Sequence, residues 1–164
     1  MSSRIDGKDR EILSILLDSA ATPKAEIARR VGLAASAVSE RIRRLEEAGI
    51  VKGYEARLDA RALRVPLLAF VFVTELKPTK GFDTGGALSR VTGVEELHKI
   101  AGEDCFLLKI RAQGTDELAV LLDTEVNPIP TVAGVRTTIV LKSILEGPPL
   151  SGLRSLSDGP SSTG

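Results

Sequence analysis

The chain has 164 residues with 22 Lys and Arg against 22 Asp and Glu, which allows one ordinary domain or two small ones and gives no net charge. The single cysteine excludes an internal disulfide framework, and no apolar run approaches the roughly 18 residues that a membrane span needs. The first residues include acids where a signal peptide would be basic and then apolar. We therefore expect a cytoplasmic protein that makes no contact with a membrane.

The charge is unevenly spread along the chain. Residues 1–64 hold 13 Lys and Arg against 10 Asp and Glu, whereas residues 65–164 hold 9 against 12. A basic front half joined to an acidic back half indicates two separate roles, with the front half better suited to a polyanion.

The first two helices are predicted from their capping residues. Asp6 can cap the free amides of the first turn, and Asp9 can reciprocate as in a capping box. Thr22 is expected to cap the second helix, with Pro23 at its first helical position. Gly32 should end that helix in a left-handed conformation.

The third helix is predicted at residues 35–48. Val38, Ile42 and Leu45 recur at i, i+4 and i+7 and therefore stack on one side. The outward-facing residues are Ser36, Ser39, Glu40, Arg43 and Arg44. Three short helices, the last two joined by a tight turn, are typical of a helix-turn-helix.

Strands dominate the back half. The apolar run "PLLAFVFVTEL" is expected as a central strand and is followed by a weak helix. Two strands joined by a turn at residues 102–104 come next, then a helix capped by Thr115 and a last strand from Gly134. This β-α-β-β-α-β order is that of ferredoxin-like folds.

Three stretches carry a family resemblance. "IDGKDREILSIL" resembles the first helix of the Lrp/AsnC, or feast/famine, transcription regulators, and "AEIARRVGLAASAVSERIRRLEEAGIVKGY" is similar to their helix-turn-helix. "HKIAGEDCFLLKI" resembles a segment of their effector-sensing module. The resemblance covers about residues 4–146. One departure is Ala34, which stands where the family usually has a capping serine.

Together these observations predict an α+β protein with an N-terminal winged-helix-like helix-turn-helix domain and a C-terminal ferredoxin-like βαββαβ effector-sensing domain. The expected boundaries are 1–50 for the DNA-binding domain, 51–64 for an extended connector, 65–146 for the sensing and oligomerisation domain, and 147–164 for a disordered tail. The resemblance implies that the partners are double-stranded DNA, a small-molecule effector such as an amino acid, and further copies of the chain in a homodimer or higher even oligomer. No cofactor and no metal are expected.

The DNA-binding residues follow from the way a recognition helix enters the major groove, N-terminus first. The candidate set is Lys24, Arg29, Ala35, Ser36, Ser39, Glu40, Arg43 and Arg44. Ala35, Ser36 and Ser39 should lie near base edges. Arg43 and the two cations before the third helix are better placed for phosphates.

A purely structural interpretation of the same helix is also open. Its outer face would then be solvated, with Glu40 pairing to Arg44 and Arg43 to Glu47 at i, i+4 spacing. Arg41 lies beside the apolar stripe and can equally brace the domain or contact DNA.

The turn at Gly102, Glu103 and Asp104 is the candidate effector site. Glu103 or Asp104 would meet the ammonium group of an amino acid, as the resemblance implies. The alternative is an ordinary hairpin turn with Gly102 at positive φ and its acids in solvent.

Other classes of function have weaker support. Cys105 and His98 form a conceivable nucleophile–base pair, but a thiol on a strand is more often a small hydrophobe, and neither residue has metal-ligand spacing. The predicted function is therefore a sequence-specific DNA-binding transcription regulator and not an enzyme, and the resemblance implies that it responds to an amino acid or similar small metabolite. The alternative is an effector-independent architectural protein that compacts DNA.

Overall fold

The computed structural model describes residues 5–76 and 81–146. The tail predicted at residues 147–164 lies outside these ranges. Within them, no helix combines the length and the apolar character that crossing a bilayer requires.

The described residues form two compact units. Unit 1 consists of residues 5–57 with 145 and 146, and unit 2 consists of residues 58–144. Unit 1 contains three helices, α1 at Gly7–Asp18, α2 at Lys24–Val31 and α3 at Ala35–Glu47.

The start of α1 has the predicted reciprocal cap. The backbone amide of Asp9 donates to the Asp6 carboxylate at 2.8 Å, and the amide of Asp6 donates to the Asp9 carboxylate at 3.2 Å. The capping box is thereby confirmed.

The ends of α2 and α3 match the sequence only in part. The prediction that Thr22 caps α2 is wrong: its hydroxyl donates to the carbonyl of Ser19 at 2.8 Å, so Pro23 occupies the cap position. Gly32 has φ 69°, which confirms the left-handed end of α2. Ala34 precedes α3 and has no polar side chain with which to cap it.

The core of unit 1 joins all three helices. Its buried members are Ile12, Ile27, Ala28, Val31, Val38 and Ile42. Beyond α3, the Tyr54 hydroxyl donates to the Glu46 carboxylate at 2.7 Å. Partial burial and this hydrogen bond raise the pKa of Tyr54 to about 12.

Unit 2 is a four-stranded antiparallel sheet with helices. Its elements are β1 at Leu67–Glu75, α4 at Thr84–Leu88, β2 at Val94–Lys99, β3 at Phe106–Ala112, α5 at Thr115–Leu121 with a π-helical turn at Leu122–Val126, and β4 at Val132–Ile139. The strand order is β2-β3-β1-β4, so β1 is central, as predicted. The β-α-β-β-α-β order is confirmed.

Two local predictions in unit 2 are wrong. Thr115 is the first residue of α5 and not its cap, which is the extended Gly114. The last strand ends at Ile139 and not near residue 145. The reason is register: Ile139 pairs with Ala69 close to the start of β1, so the following residues have little of β1 left to pair with.

The two faces of the sheet differ. Ala69, Val71 and Val73 are fully buried in the core that includes residues of α4 and α5. Phe70 and Phe72 alternate with them and are only half-buried. The apolar run of β1 is therefore divided between the two faces, and within the described ranges the helices do not cover the second face of the sheet.

Candidate nucleic-acid interface

Helix α3 has a buried side and an exposed side. Val38, Ile42 and Leu45 are at most 3% exposed and fix the buried side. We call the opposite row the outer stripe; its members, at i, i+4, i+7 and i+11, are Ser36, Glu40, Arg43 and Glu47, all exposed. The outer stripe is the part of α3 that lies furthest from the unit's core.

Arg43 lies between two glutamates of its own helix. Its Nε and Nη2 donate to the two oxygens of Glu40 at 3.0 and 2.6 Å, and its Nη1 donates to Glu47. The hydrogen bond from Arg43 lowers the pKa of Glu40, and the same contact raises the pKa of Arg43. The predicted Arg43–Glu47 pair is present, whereas Glu40 hydrogen-bonds Arg43 and not Arg44.

The start of α3 carries the small residues expected at base edges. Ala35 and Ser36 are exposed, and Ser39 is half-buried. Since Ala34 cannot cap the helix with its side chain, the first turn presents small side chains beside backbone amides that point along the helix axis.

Helix α2 contributes a more cationic surface. The Arg29 guanidinium donates to the two oxygens of Glu26 at 2.9 and 2.8 Å, and Arg30 donates to one of them at 2.8 Å. The contacts from Arg29 and then Arg30 lower the pKa of Glu26 to about 2. Helix α2 therefore carries three exposed cations, Lys24, Arg29 and Arg30, against one carboxylate, so its surface has an excess of positive charge.

Arg41 forms ion pairs with two carboxylates at the start of α1. Its Nη1 lies 2.7 Å from an oxygen of Asp6 and 2.7 Å from an oxygen of Asp9, whose side chain is 2% exposed. Arg44 reaches the same Asp9 at 3.8 Å while its own side chain stays 51% exposed. Of the two roles that the sequence left open for Arg41, the contacts favour the brace.

The candidate effector turn joins β2 to β3. Gly102 has φ 150°, and Glu103 is exposed. Asp104 is more enclosed: its carboxylate accepts from Thr74 Oγ1 at 3.1 Å and from Arg136 Nη2 at 2.7 Å. The turn therefore has one solvent-facing acid and one acid that already holds a guanidinium.

Cys105 and His98 have ordinary structural surroundings. The Cys105 amide donates to the carbonyl of Val73 at 2.9 Å, and its side chain packs against the core of unit 2. His98 Nε2 lies 3.3 Å from a Glu96 oxygen in an exposed pair. Across the described ranges, no three His, Cys, Asp or Glu side chains are grouped so that they could hold a metal ion.

Some partners of these residues were not predicted. Glu26 lies three and four residues before Arg29 and Arg30, so helical spacing could have identified that cluster. The contact of Arg136 with Asp104 had no such signal, because it joins β4 to a turn 32 residues earlier.

Two family models cover most of the chain. A winged helix-turn-helix DNA-binding model matches residues 5–52, and the Lrp/AsnC ligand-binding domain matches residues 68–150.

Similar proteins agree over nearly their full lengths. The HTH-type transcriptional regulator LrpA of Mycobacterium tuberculosis is 37% identical over 145 residues, which are 87% of this chain and 94% of that protein. The HTH-type transcriptional regulator FL11 of Pyrococcus horikoshii is 35% identical over 85% of this chain and 91% of its own length.

A solved structure extends the likeness to three dimensions. It is a feast or famine regulatory protein of Mycobacterium tuberculosis complexed with L-methionine, with a TM-score of 0.79 and 34% identity. The match covers 87% of this chain and 96% of that one. Both family models, the related regulators and the shared fold lead to one conclusion: the chain belongs to the Lrp/AsnC family of DNA-binding transcription regulators.

Proposed function

We propose that this regulator binds specific duplex sequences through α3 and changes its binding in response to an amino acid. The observation that supports this most is the outer stripe of α3, which is exposed to solvent opposite the core of a unit whose helix α2 also carries a cationic surface. In this arrangement α3 enters the major groove, where Ala35, Ser36 and Ser39 meet base edges.

Phosphate contacts come from the flanks. Lys24 and Arg29 on α2, and Arg44 on α3, are exposed cations outside the outer stripe. Contacts to phosphate fix the register of the protein on the duplex but carry no sequence information. Discrimination among sequences therefore falls to the residues that face the groove, which include Glu40 and Arg43.

An amino acid is the effector that the turn of unit 2 favours. The related structure complexed with L-methionine supports this class of ligand. In this chain, Asp104 and Glu103 supply negative charge for an ammonium group, and Gly102 lies beside open space, since a Cβ there would meet nothing within 4 Å. Arg136, 2.7 Å from Asp104, supplies a cation for the carboxylate of the same zwitterion.

Assembly of two or more copies links the two sites. The uncovered face of the sheet carries the half-buried Phe70 and Phe72, and covering such a face is a reason to dimerise. A homodimer or higher even oligomer then presents paired helix-turn-helix units to half-sites about one helical turn apart, or multiples of that. We place the regulator in the cytoplasm, where it meets both DNA and free amino acids.

The response to an effector can be tested directly. The full chain is titrated onto its preferred duplex, selected from a random-sequence library, with each common amino acid added in turn. At least one amino acid should change the apparent affinity about fivefold or more. Asp104→Ala should lose that change while keeping its affinity without effector, and Asp116→Ala, which removes an exposed acid of α5, should respond as the wild type does.

The contrary outcomes are distinct. If no amino acid alters the wild-type affinity, the proposed response to an amino acid is wrong, and the effector-independent architectural protein becomes the favoured alternative. If Asp104→Ala responds normally, an effector exists but the turn at residues 102–104 does not bind it.

A further inference from the structure

The arrangement around Arg43 leaves a defined set of free donors. Arginine has five N–H donors, and among the described residues Arg43 uses three, one each from Nε, Nη1 and Nη2. The Nε and Nη2 edge of the guanidinium makes a bidentate pair of hydrogen bonds with Glu40. One N–H on each terminal nitrogen remains, and these two nitrogens are the outermost atoms of the side chain.

The charge around Arg43 differs from that of a phosphate clamp. One guanidinium lies between two carboxylates, so the Glu40–Arg43–Glu47 group has a formal charge of −1. A phosphate approaching this group meets net repulsion, whereas a neutral hydrogen-bond acceptor does not. On α2, Arg29 and Arg30 share one carboxylate and keep an excess positive charge.

The position of the side chain also matters. Arg43 belongs to the outer stripe, diametrically opposite Val38, Ile42 and Leu45. A recognition helix lies in the major groove with its exposed side towards the DNA, so the outer stripe is the side of α3 from which base edges can be reached. Glu40 and Glu47, one turn to either side, restrain the guanidinium, so less rotamer entropy remains to be lost on binding.

We infer that Arg43 is a specificity-determining residue that contacts guanine in the major groove, not a phosphate-binding residue. This inference rests on the proposed function, because it needs α3 to be the recognition helix. Guanine presents two neutral acceptors, O6 and N7, side by side, and paired N–H donors of an arginine match them. Glu40 and Glu47 hold the guanidinium in place and cancel its attraction to the backbone. The residue thus adds discrimination between sequences and little general affinity for DNA.

The test makes the same substitution at two arginines. Wild type, Arg43→Gln and Arg29→Gln are each taken, as full chains, through selection from a random-sequence duplex library. The salt dependence of binding is then measured on the wild-type duplex. Both residues are exposed, so circular dichroism should show the same helix content for all three proteins.

We expect Arg43→Gln to change the base preference and Arg29→Gln to change the salt dependence of binding. Glutamine pairs with the N6 and N7 edge of adenine. Arg43→Gln should therefore move the preferred base at one position of each half-site from guanine towards adenine, and should weaken discrimination for guanine there about tenfold or more. Arg29→Gln should select the wild-type sequence and reduce the slope of log affinity against log salt by about 0.9.

Other results overturn the inference. If Arg43→Gln selects the wild-type sequence, Arg43 contacts no base, and a salt slope reduced as in Arg29→Gln would identify it as a phosphate ligand. If the wild type itself enriches no sequence, the proposed sequence-specific function fails, and the inference fails with it.

Discussion

Two arginines of α3 have the same kind of neighbours on opposite sides of the helix. Arg41 lies between Asp6 and Asp9 on the inner side, and Arg43 lies between Glu40 and Glu47 on the outer side. The inner group joins two helices and includes a carboxylate that is 2% exposed, whereas every member of the outer group is more than half exposed. One arginine with two carboxylates therefore joins two helices when it is partly buried, and sets only the local surface charge when it is exposed.

The largest effect should come from breaking the inner group. Asp9→Ala removes a buried carboxylate that accepts from Arg41 and completes the cap of α1. We expect unit 1 to lose about 3 kcal/mol of unfolding free energy, because the partly buried Arg41 loses one of its two carboxylate partners and a helix loses part of its cap. Urea unfolding measures this loss for the whole chain, and hydrogen exchange of the α1 amides measures it for unit 1.

The matched control lies on the outer side. Glu47→Ala removes an exposed carboxylate from the equivalent arginine group and should leave the urea midpoint unchanged. Equal midpoints for the Asp9 and Glu47 variants would remove the distinction between the two sides.

A smaller effect, on DNA and not on stability, should follow from neutralising the outer acids. Glu40→Gln combined with Glu47→Gln releases the charge of Arg43 and changes the formal charge of the group from −1 to +1. We expect affinity for a duplex of arbitrary sequence to rise several-fold and the salt slope to steepen by about one unit, as for one more phosphate contact. Fluorescence anisotropy at a series of salt concentrations measures both quantities.

An acid of α1 supplies the control for the DNA measurement. Glu11→Gln also removes a paired carboxylate, that of the Lys8 ion pair, but lies outside the outer stripe. The salt slope should stay at the wild-type value. An unchanged slope in the double variant as well would show that the outer stripe does not lie close to the DNA, and would contradict the proposed position of Arg43.

The smallest effect is expected from pH. A backbone hydrogen bond from Asp9 and then the Arg41 contact lower the pKa of Asp6. A carboxyl whose pKa is lower in the folded state stabilises the fold above its unfolded pKa of about 3.9, and loses that contribution as the pH falls through the folded value. The stability of unit 1 should therefore change little between pH 7 and 5 and should decline below about pH 4.

The variant Arg41→Gln tests how much the ion pairs of Arg41 contribute to this pH dependence. It removes one of the causes that lower the pKa of Asp6, so its urea midpoint should start lower at pH 7 and fall less steeply below pH 4. Parallel curves for the variant and the wild type would contradict a role for Arg41 in acid stability.

Local signals explain which parts of the fold were predictable. The capping box of Asp6 and Asp9, the left-handed Gly32 and the apolar spacing of α3 each depend on residues within two turns of one another. The order of helices and strands along the chain was predicted in the same way, from short apolar runs and the turns between them. The candidate DNA-binding and effector residues stay predictions, although the contacts of Arg43 and Asp104 now make their tests sharper.

The features that the sequence did not predict depend on contacts between residues far apart in the chain, or on competition between two hydrogen-bond partners. Arg41 reaches Asp9 across 32 residues, and no periodicity signals such a contact. Thr22 had two possible partners, and its hydroxyl took the carbonyl at the end of α1 over the amides of α2. The end of β4 was set by its register against β1, which a single strand cannot reveal.

The hydroxyl of Tyr54, bonded to Glu46 just beyond the exposed end of α3, has an optical consequence. The chain has one tyrosine and no tryptophan, so its intrinsic ultraviolet emission, excited at wavelengths beyond the phenylalanine absorption band, arises from this ring alone. With a pKa of about 12 the phenol stays protonated throughout the working range of most buffers. The signal is therefore a label-free reporter of unit 1, silent to events confined to unit 2 unless they are transmitted to the helices that bind DNA.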